Sequence, residues 1–291
     1  MANDNTRVKI LGISGSPRHA NTETAIKMSL EAAQSTGYAD VEYLSLADYK
    51  LLGCTGCMKC FGWQAPADGE LTCYEFPEDE MRLIAPKLLE ADGLIFGSPV
   101  YVIGVTALAR TFMEKLHWFG FFSFTKWYGS LFRKPIGLVT VVGNAGHELV
   151  LEHMWGWALG LGMIPVVAPP TSEISQPMSS IYGATVSAID AASIYSKRAI
   201  TREGQRTVPP AQGVRNERAL RSLGKNVVST AQILNLGKQA ALDAGIPPVD
   251  LLSFKKYSVK PKPGSFVEKL IKEGRVQWSP QAAEAGTQSE E

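Results

Sequence analysis

The sequence predicts a doubly wound α/β domain, a parallel sheet covered by helices on both faces. Three observations predict it. Short β-rich runs alternate with helix-period segments five times between residues 7 and 170. Runs such as "GLIFGSPVY" and "KPIGLVTVVG" are apolar almost throughout, as strands buried on both faces are. The loops leaving the first, third and fourth runs, 14–22, 97–104 and 143–148, are polar or contain Gly. In such sheets ligands bind at the carboxyl ends of strands, where the strand order reverses.

Each element has its own warrant. "RVKILGIS" (7–14) is the first strand. "NTETAIKMSLEAAQSTG" (21–37) reads as a helix that Asn21 or Thr22 can cap and Gly37 stops, with Ile26, Leu30 and Ala33 on one stripe. "DVEYLSL" (40–46) alternates like a strand, and a long cysteine-bearing loop follows. "PEDEMRLIAPKLLEAD" (77–92) is a helix with Pro86 as its expected point of interruption. The third strand (93–101) leads into a helix (105–119) with Arg110 and Glu114 at i,i+4. A fourth strand (134–143), a helix (147–162) and a fifth strand (163–169) complete the pattern.

Residues 1–170 therefore form the core. The Ser-, Pro- and Thr-rich segment 171–212 reads as an excursion, with a helix expected at 184–198 and a role in oligomer contact. Residues 213–245 are a long amphipathic helix that closes the same domain. The tail 246–291 has little regular patterning beyond "SFVEKLIKEG" and is expected to be partly disordered.

The net charge of +1 over 291 residues gives no global pull toward nucleic acid or membrane. Residues 1–170 carry a net −4 and residues 171–291 a net +5. The start of the chain is polar and then strand-like, unlike a secretory signal. No apolar run reaches the roughly 18 residues a membrane helix needs. The expectation is a cytoplasmic protein without nucleic-acid or membrane partners.

"GISGSPRHANTET" (12–24) suits a phosphate. Small residues let the backbone close around an anion, Ser14, Ser16 and Thr22 offer hydroxyls, and Arg18 offers charge. The helix that follows contributes unpaired N–H groups and the positive end of its dipole. The loop has neither the G-x-G-x-x-G of dinucleotide folds nor a G-K-[ST]. "GISGSPRHANTETAIKMSLEAA", with "ADGLIFGSPVY" some seventy residues later, resembles the NADPH-dependent FMN reductase and iron–sulfur flavoprotein family over about residues 7–170. That resemblance implies a flavodoxin-like five-stranded sheet of order 2-1-3-4-5. It implies an FMN phosphate held by Ser14, Ser16, Pro17, Arg18, Asn21 and Thr22. It places Ser98, Pro99, Val100, Tyr101 and Ile103 around the flavin ring. In the third loop Gly143, Asn144, Ala145, Gly146 and His147 would border the ring's pyrimidine end, where backbone donors stabilise negative charge.

All four cysteines lie in one stretch. Cys54, Cys57 and Cys60 are separated by two residues each, and twelve residues separate Cys60 from Cys73. Cys-x2-Cys-x2-Cys is the compact spacing that iron–sulfur clusters use. Zinc, a redox-active pair and free thiols stay open as alternatives. The resemblance implies a [4Fe-4S] cluster, although the twelve-residue interval is longer than the family pattern. "HWFGFFSFTKWYGS" (117–130) packs seven aromatic residues, for core, subunit interface or an apolar wall facing a quinone-like acceptor.

The function expected is an FMN-dependent NAD(P)H oxidoreductase. Electrons would pass from a nicotinamide through FMN to a quinone, aromatic compound, flavin or protein. One alternative is an iron–sulfur flavoprotein sending single electrons to a small acceptor or a ferredoxin-like protein. Another is a flavin- or zinc-binding redox sensor. No essential acid or base is evident, and Tyr101 is the nearest candidate to line the reactive face. A homo-oligomer, dimer or tetramer, is expected.

Overall fold

The computed structural model describes residues 7–57, 59–60, 73–121, 131–143, 145–167, 184–187 and 214–245. In chain order the elements are β1 (Val8–Ser14), α1 (Asn21–Gln34), β2 (Ala39–Ser45), α2 (Met81–Glu90) and β3 (Gly93–Pro99). There follow α3 (Ala107–Phe121), β4 (Pro135–Val142), α4 (His147–Gly160), β5 (Ile164–Val166), β6 (Ala184–Ser187) and α5 (Val214–Asp243). The main path of the sheet is β2-β1-β3-β4-β5, all parallel. The expected order is thus observed.

Strand β1 shows why the runs are apolar throughout. Leu11 and Ile13 point into one hydrophobic layer, with α2, α3 and α4. Val8 and Ile10 point into the other, with α1 and α5. Successive side chains face opposite ways, so a strand buried on both faces needs apolar residues at every position. Each such side chain contributes roughly 1.5–3 kcal/mol on burial.

The fifth strand differs from expectation. β5 is three residues long and pairs with Pro135–Gly137 at the start of β4. β6 pairs in parallel with Val139–Val142, the rest of β4. Because β3 occupies the other edge of β4, β5 and β6 together form one interrupted edge strand. The helix expected at 184–198 is corrected at its start, since 184–187 are strand; residues 188–213 lie outside the described residues. The fully buried Ala184 and the ladder on β4 outweigh local helical patterning there.

Smaller corrections follow from packing. Ala20 stands at the N-cap of α1 and no side chain caps it, so neither Asn21 nor Thr22 does. α2 begins at Met81 and runs through Pro86 without interruption. Pro86 and Arg82 are exposed, so the carbonyl that loses its intrahelical donor is on the solvent side. The tail 246–291 lies outside the described residues, as do 122–130 of the aromatic stretch.

α5 packs along α1 and the sheet through Ala219, Leu220, Leu223, Val227, Val228 and Ala231. The two helices approach so closely that a Cβ on Gly224 would stand 2.0 Å from the Ser29 carbonyl oxygen. Asn226 donates to the Val167 carbonyl at 2.8 Å and Asn235 to Asp92 at 3.0 Å, tying α5 to both ends of the sheet. Among the described residues no helix is long and apolar enough to cross a membrane.

Lys134 closes the C-terminus of α2. Its ammonium donates to the carbonyls of Leu88 and Leu89 at 2.7 Å and of Ala91 at 2.5 Å, groups that lack helical donors. Burial lowers its pKa to about 8, against the attraction of Asp92. Lys134→Met is expected to cost about 1–3 kcal/mol, because the carbonyls lose their partner. The pH dependence has a definite sign. The folded pKa lies below the unfolded value, so between about pH 8 and 10.5 the unfolded chain binds more protons. The stability advantage of wild type over Lys134→Met therefore grows across that window. Chemical denaturation of both proteins at pH 7 and pH 10 measures it; a constant difference would contradict it.

Candidate functional site

The loop after β1 turns on Gly15. Its N–H donates to the Gly97 carbonyl at 2.7 Å, and its carbonyl accepts from the Thr106 hydroxyl at 2.5 Å. A Cβ there would stand 2.7 Å from the Ala109 Cβ, so only glycine lets α3 come this close. Thr106 also caps α3, accepting the Ala109 N–H at 3.0 Å. One backbone unit thus joins the ends of β1 and β3 to the start of α3.

Beyond Gly15 the loop is built as an anion cradle. Ser14, Ser16 and Thr22 are buried. Ser14 Oγ accepts the Ser16 N–H at 3.4 Å and Ser16 Oγ accepts the Arg18 N–H at 3.1 Å, which curls the backbone. Asn21 is half-buried, while Pro17 and Arg18 are exposed at the rim. The first turn of α1 has no side-chain cap, so its N–H groups and dipole are left for an anion. His19 fastens the loop from outside, bridging Glu23 at 2.9 Å and Asp48 at 3.0 Å. Under the cradle the Tyr43 Oη is buried, making no hydrogen bond. Burial, then the Glu23 charge, pushes this phenol up to about 12, against the nearby Ser14 and Ser45 hydroxyls.

The second loop splits its residues between support and display. Ser98 and Pro99 are buried in β3. The Ser98 hydroxyl donates to the Pro99 carbonyl at 3.0 Å and accepts the Thr106 N–H at 3.2 Å, so it shapes the loop. Val100 N–H donates to the Val141 carbonyl at 2.8 Å. Tyr101 and Gly104 exchange backbone hydrogen bonds at 2.9 and 3.0 Å around a two-residue turn. Its central residues, Val102 and Ile103, have φ of 49° and 63°. β-Branched residues are disfavoured in that region, where Asn-Gly is the usual choice. The strained pair is displayed: Val102 is 100% exposed and Ile103 59%. Val102→Asn with Ile103→Gly is expected to raise stability by about 1–3 kcal/mol by removing this strain, and to weaken flavin binding through loss of apolar surface. Thermal melting and FMN titration test both halves; unchanged stability would show that the turn is not strained.

The third loop leans on the second. Gly146 has φ +92°, and a Cβ on it would stand 3.1 Å from the Ile103 Cα and 3.3 Å from Val100. Glycine is required there on both counts. Gly143 and Ala145 are exposed; Asn144 lies outside the described residues. His147 opens α4, and both of its ring nitrogens are buried without a hydrogen bond. Buried polar atoms normally have partners. These orphaned nitrogens stand at the carboxyl edge of the sheet, where a heterocycle with donor and acceptor edges fits.

Residues 8–172 match the family model for NADPH-dependent FMN reductase. The chain belongs to that family. As an FMN reductase family member it is an FMN oxidoreductase, and the uncapped α1 turn with its buried hydroxyls fits a flavin phosphate. Among its relatives, an iron–sulfur flavoprotein of Methanocaldococcus jannaschii is 33% identical over 163 residues, 55% of this chain and 76% of the relative. An iron–sulfur flavoprotein of Archaeoglobus fulgidus is 30% identical over 165 residues, 54% of this chain and 70% of the relative. The crystal structure of RosB with bound 8-demethyl-8-formylriboflavin-5'-phosphate has the same fold. Its TM-score is 0.55 at 16% identity, covering 84% of this chain and 89% of that one. The family match ends before β6 and α5.

In this FMN reductase family member Cys54, Cys57, Cys60 and Cys73 lie among the described residues, whereas 58 and 61–72 do not. Cys60 packs, half-buried, against the layer that also receives Val100, Val105 and Leu108. Burial, then the neighbouring Cys54, Cys57 and Cys73 sulfurs, pushes its thiol up to about 11. Cys54 and Cys57 are exposed, and Cys54 Sγ accepts the Gly56 N–H at 3.4 Å. Lys59 pairs with Glu75 and so draws the two sides of the loop together. Among the described residues no three Cys, His, Asp or Glu side chains are gathered closely enough to hold a metal ion.

Residue patterns along the chain point to the three loops and the cysteines. They miss the Gly15–Thr106 stitch, the strained turn and the buried phenol of Tyr43. Only the turn has a sequence signal, two β-branched residues before Gly104 at a strand end.

Proposed function

We propose that this FMN oxidoreductase takes electrons from NAD(P)H and passes them to a small-molecule or protein acceptor. The observation that carries this is the uncapped N-terminus of α1, with Ser14, Ser16 and Thr22 buried around it, at the point where the strand order reverses. FMN, when bound, supplies a ring that accepts a hydride and releases electrons one or two at a time. The chain supplies position. Ser14, Ser16, Thr22, Arg18 and the first turn of α1 hold the phosphate. Val100, Tyr101 and Ile103 form an apolar face for the ring, and Gly143, Ala145 and Gly146 offer backbone at its edge. His147 presents two buried, unpartnered ring nitrogens at that edge.

A second reading is favoured by a specific observation. Cys54, Cys57 and Cys60 are separated by two residues each, and relatives are named iron–sulfur flavoproteins. In this reading Cys54, Cys57, Cys60 and Cys73 hold an iron–sulfur cluster, which would supply one-electron transfer. Anaerobic purification with flavin, iron and sulfide measured per chain separates the two. One FMN with about four irons and matching sulfide supports the cluster, and FMN alone supports the plain reductase. Absence of FMN after incubation with it, or no bleaching of bound FMN by NADH or NADPH, would overturn the proposal.

A further inference from the structure

The phosphate cradle and the second loop leave neighbouring strands. β1 and β3 pair in parallel as far as Ser14 and Gly97. The Gly15 N–H still reaches the Gly97 carbonyl at 2.7 Å, and beyond it the chains part toward α1 and α3. Thr106, 2% exposed, bridges them. Its hydroxyl donates to the Gly15 carbonyl in the first loop at 2.5 Å. Its N–H donates to Ser98 Oγ at 3.2 Å. Ser98 and Thr106 flank residues 99–105, so this bond pinches the second loop at its root.

The hydroxyls along this row are spent inside the protein. Each hydroxyl carries one proton. That of Thr106 goes to Gly15, while its oxygen accepts the Ala109 N–H at 3.0 Å. That of Ser98 goes to the Pro99 carbonyl at 3.0 Å, and that of Thr140, on β4, to the Ser98 carbonyl at 3.2 Å. All three side chains are buried. Their protons shape the loops and are not offered to a ligand.

Capping of α3 does not by itself account for threonine at 106. Aspartate would accept the Ala109 N–H equally well, but it cannot donate to the Gly15 carbonyl. Valine would fill the same space and withdraw that donor. Threonine does both, and so ties the first loop to the root of the second.

FMN has a phosphate and a ring joined by a flexible chain. When one molecule carries two binding groups, the second engages as if at high local concentration. That gain depends on the two subsites standing at a spacing the linker spans. It is lost when the spacing drifts, even where each subsite stays intact.

We propose that Thr106 is a positioning residue that sets the spacing between the phosphate cradle and the second loop, so that one FMN engages both at once. Thr106 acts through Gly15 and Ser98. This rests on reading the cradle as the phosphate site and the second loop as the ring face.

The test uses the full chain freed of flavin, with FMN, riboflavin and inorganic phosphate as probes. Riboflavin has the ring without the phosphate. Flavin fluorescence gives the first two affinities, and competition with FMN gives that of phosphate. Thr106→Val weakens FMN by about tenfold or more and leaves riboflavin and phosphate each within about threefold of wild type. Thr106→Ser keeps the hydroxyl and stays within about threefold for all the probes. Ser98→Ala releases the Thr106 N–H and shows the Thr106→Val pattern, with FMN weakened about fivefold or more. It carries the test alone if Thr106→Val does not fold. The proposal is overturned if FMN binding is unchanged in these variants. It is also overturned if riboflavin or phosphate weakens in parallel with FMN, which would make Thr106 a support of one loop or of the whole fold. Wild type that binds no FMN, binds riboflavin as tightly, or keeps FMN against excess phosphate overturns the reading of the cradle and this proposal with it. Wild type that prefers FMN, with variants that keep the preference, overturns this proposal alone.

Discussion

Replacing Ser16 and Arg18 together by alanine is expected to weaken FMN binding by about 100-fold, roughly 3 kcal/mol. Ser16 is buried in the loop, and its hydroxyl also accepts the Arg18 N–H at 3.1 Å, which sets the curl of the backbone. Its removal takes away a donor to the phosphate and loosens the turn. Arg18 is exposed, so water screens its charge, and the larger part of the loss is assigned to Ser16. The overall fold should be preserved, because Gly15 stays held by Gly97 and Thr106. Equilibrium titration with FMN, followed by flavin fluorescence, gives the affinity. Wild-type affinity in the double variant would show that the phosphate is held elsewhere.

Gly224→Ala is expected to cost about 2–3 kcal/mol and to lower the melting temperature by about 5–10 °C. The new methyl would stand 2.0 Å from the Ser29 carbonyl oxygen and 2.8 Å from its carbonyl carbon. These are backbone atoms inside α1 and cannot rotate away, so α1 and α5 must separate. The higher helix propensity of alanine returns about 1 kcal/mol, which is already counted. The effect should reach the site, since α1 carries the anion cradle at its N-terminus. Part of the lost stability should then return with excess FMN, by mass action on the folded state. Melting curves with and without FMN measure both effects. An unchanged melting temperature would mean that the helices part at no cost.

The legible parts of the protein are those carried by local periodicity. β1, β3 and β4 are readable because burial on both faces leaves no polar position. α1 and α5 show stripes at helical spacing. The cradle is readable because Ser14, Ser16 and Thr22 are close in sequence and precede a helix. Its missing cap was not readable: Asn21 and Thr22 are good capping types, yet the helix starts at Asn21 itself. Nor was β6, since Ala184–Ser187 becomes a strand only by pairing with the free half of β4. The roles of Ser98 and Val102 were hidden in the same way. Ser98 is spent on Pro99 and Thr106, while the exposed Val102 sits in a conformation its side chain disfavours.

The order of apolar runs determined the sheet, its two buried faces and the three loops at its carboxyl edge, because periodicity is a property of consecutive residues. The cysteine spacing raised a cluster, zinc, a redox pair and free thiols alike, and did not choose among them. Packing alone decided that Gly15 joins β3 to α3, that Gly146 rests on Ile103, and that Asp79 pairs with Lys115 and accepts the Leu52 N–H. Each of these contacts links segments more than 25 residues apart. Their geometry is set by how closely helices and loops approach once the core is full, and no local pattern records that distance.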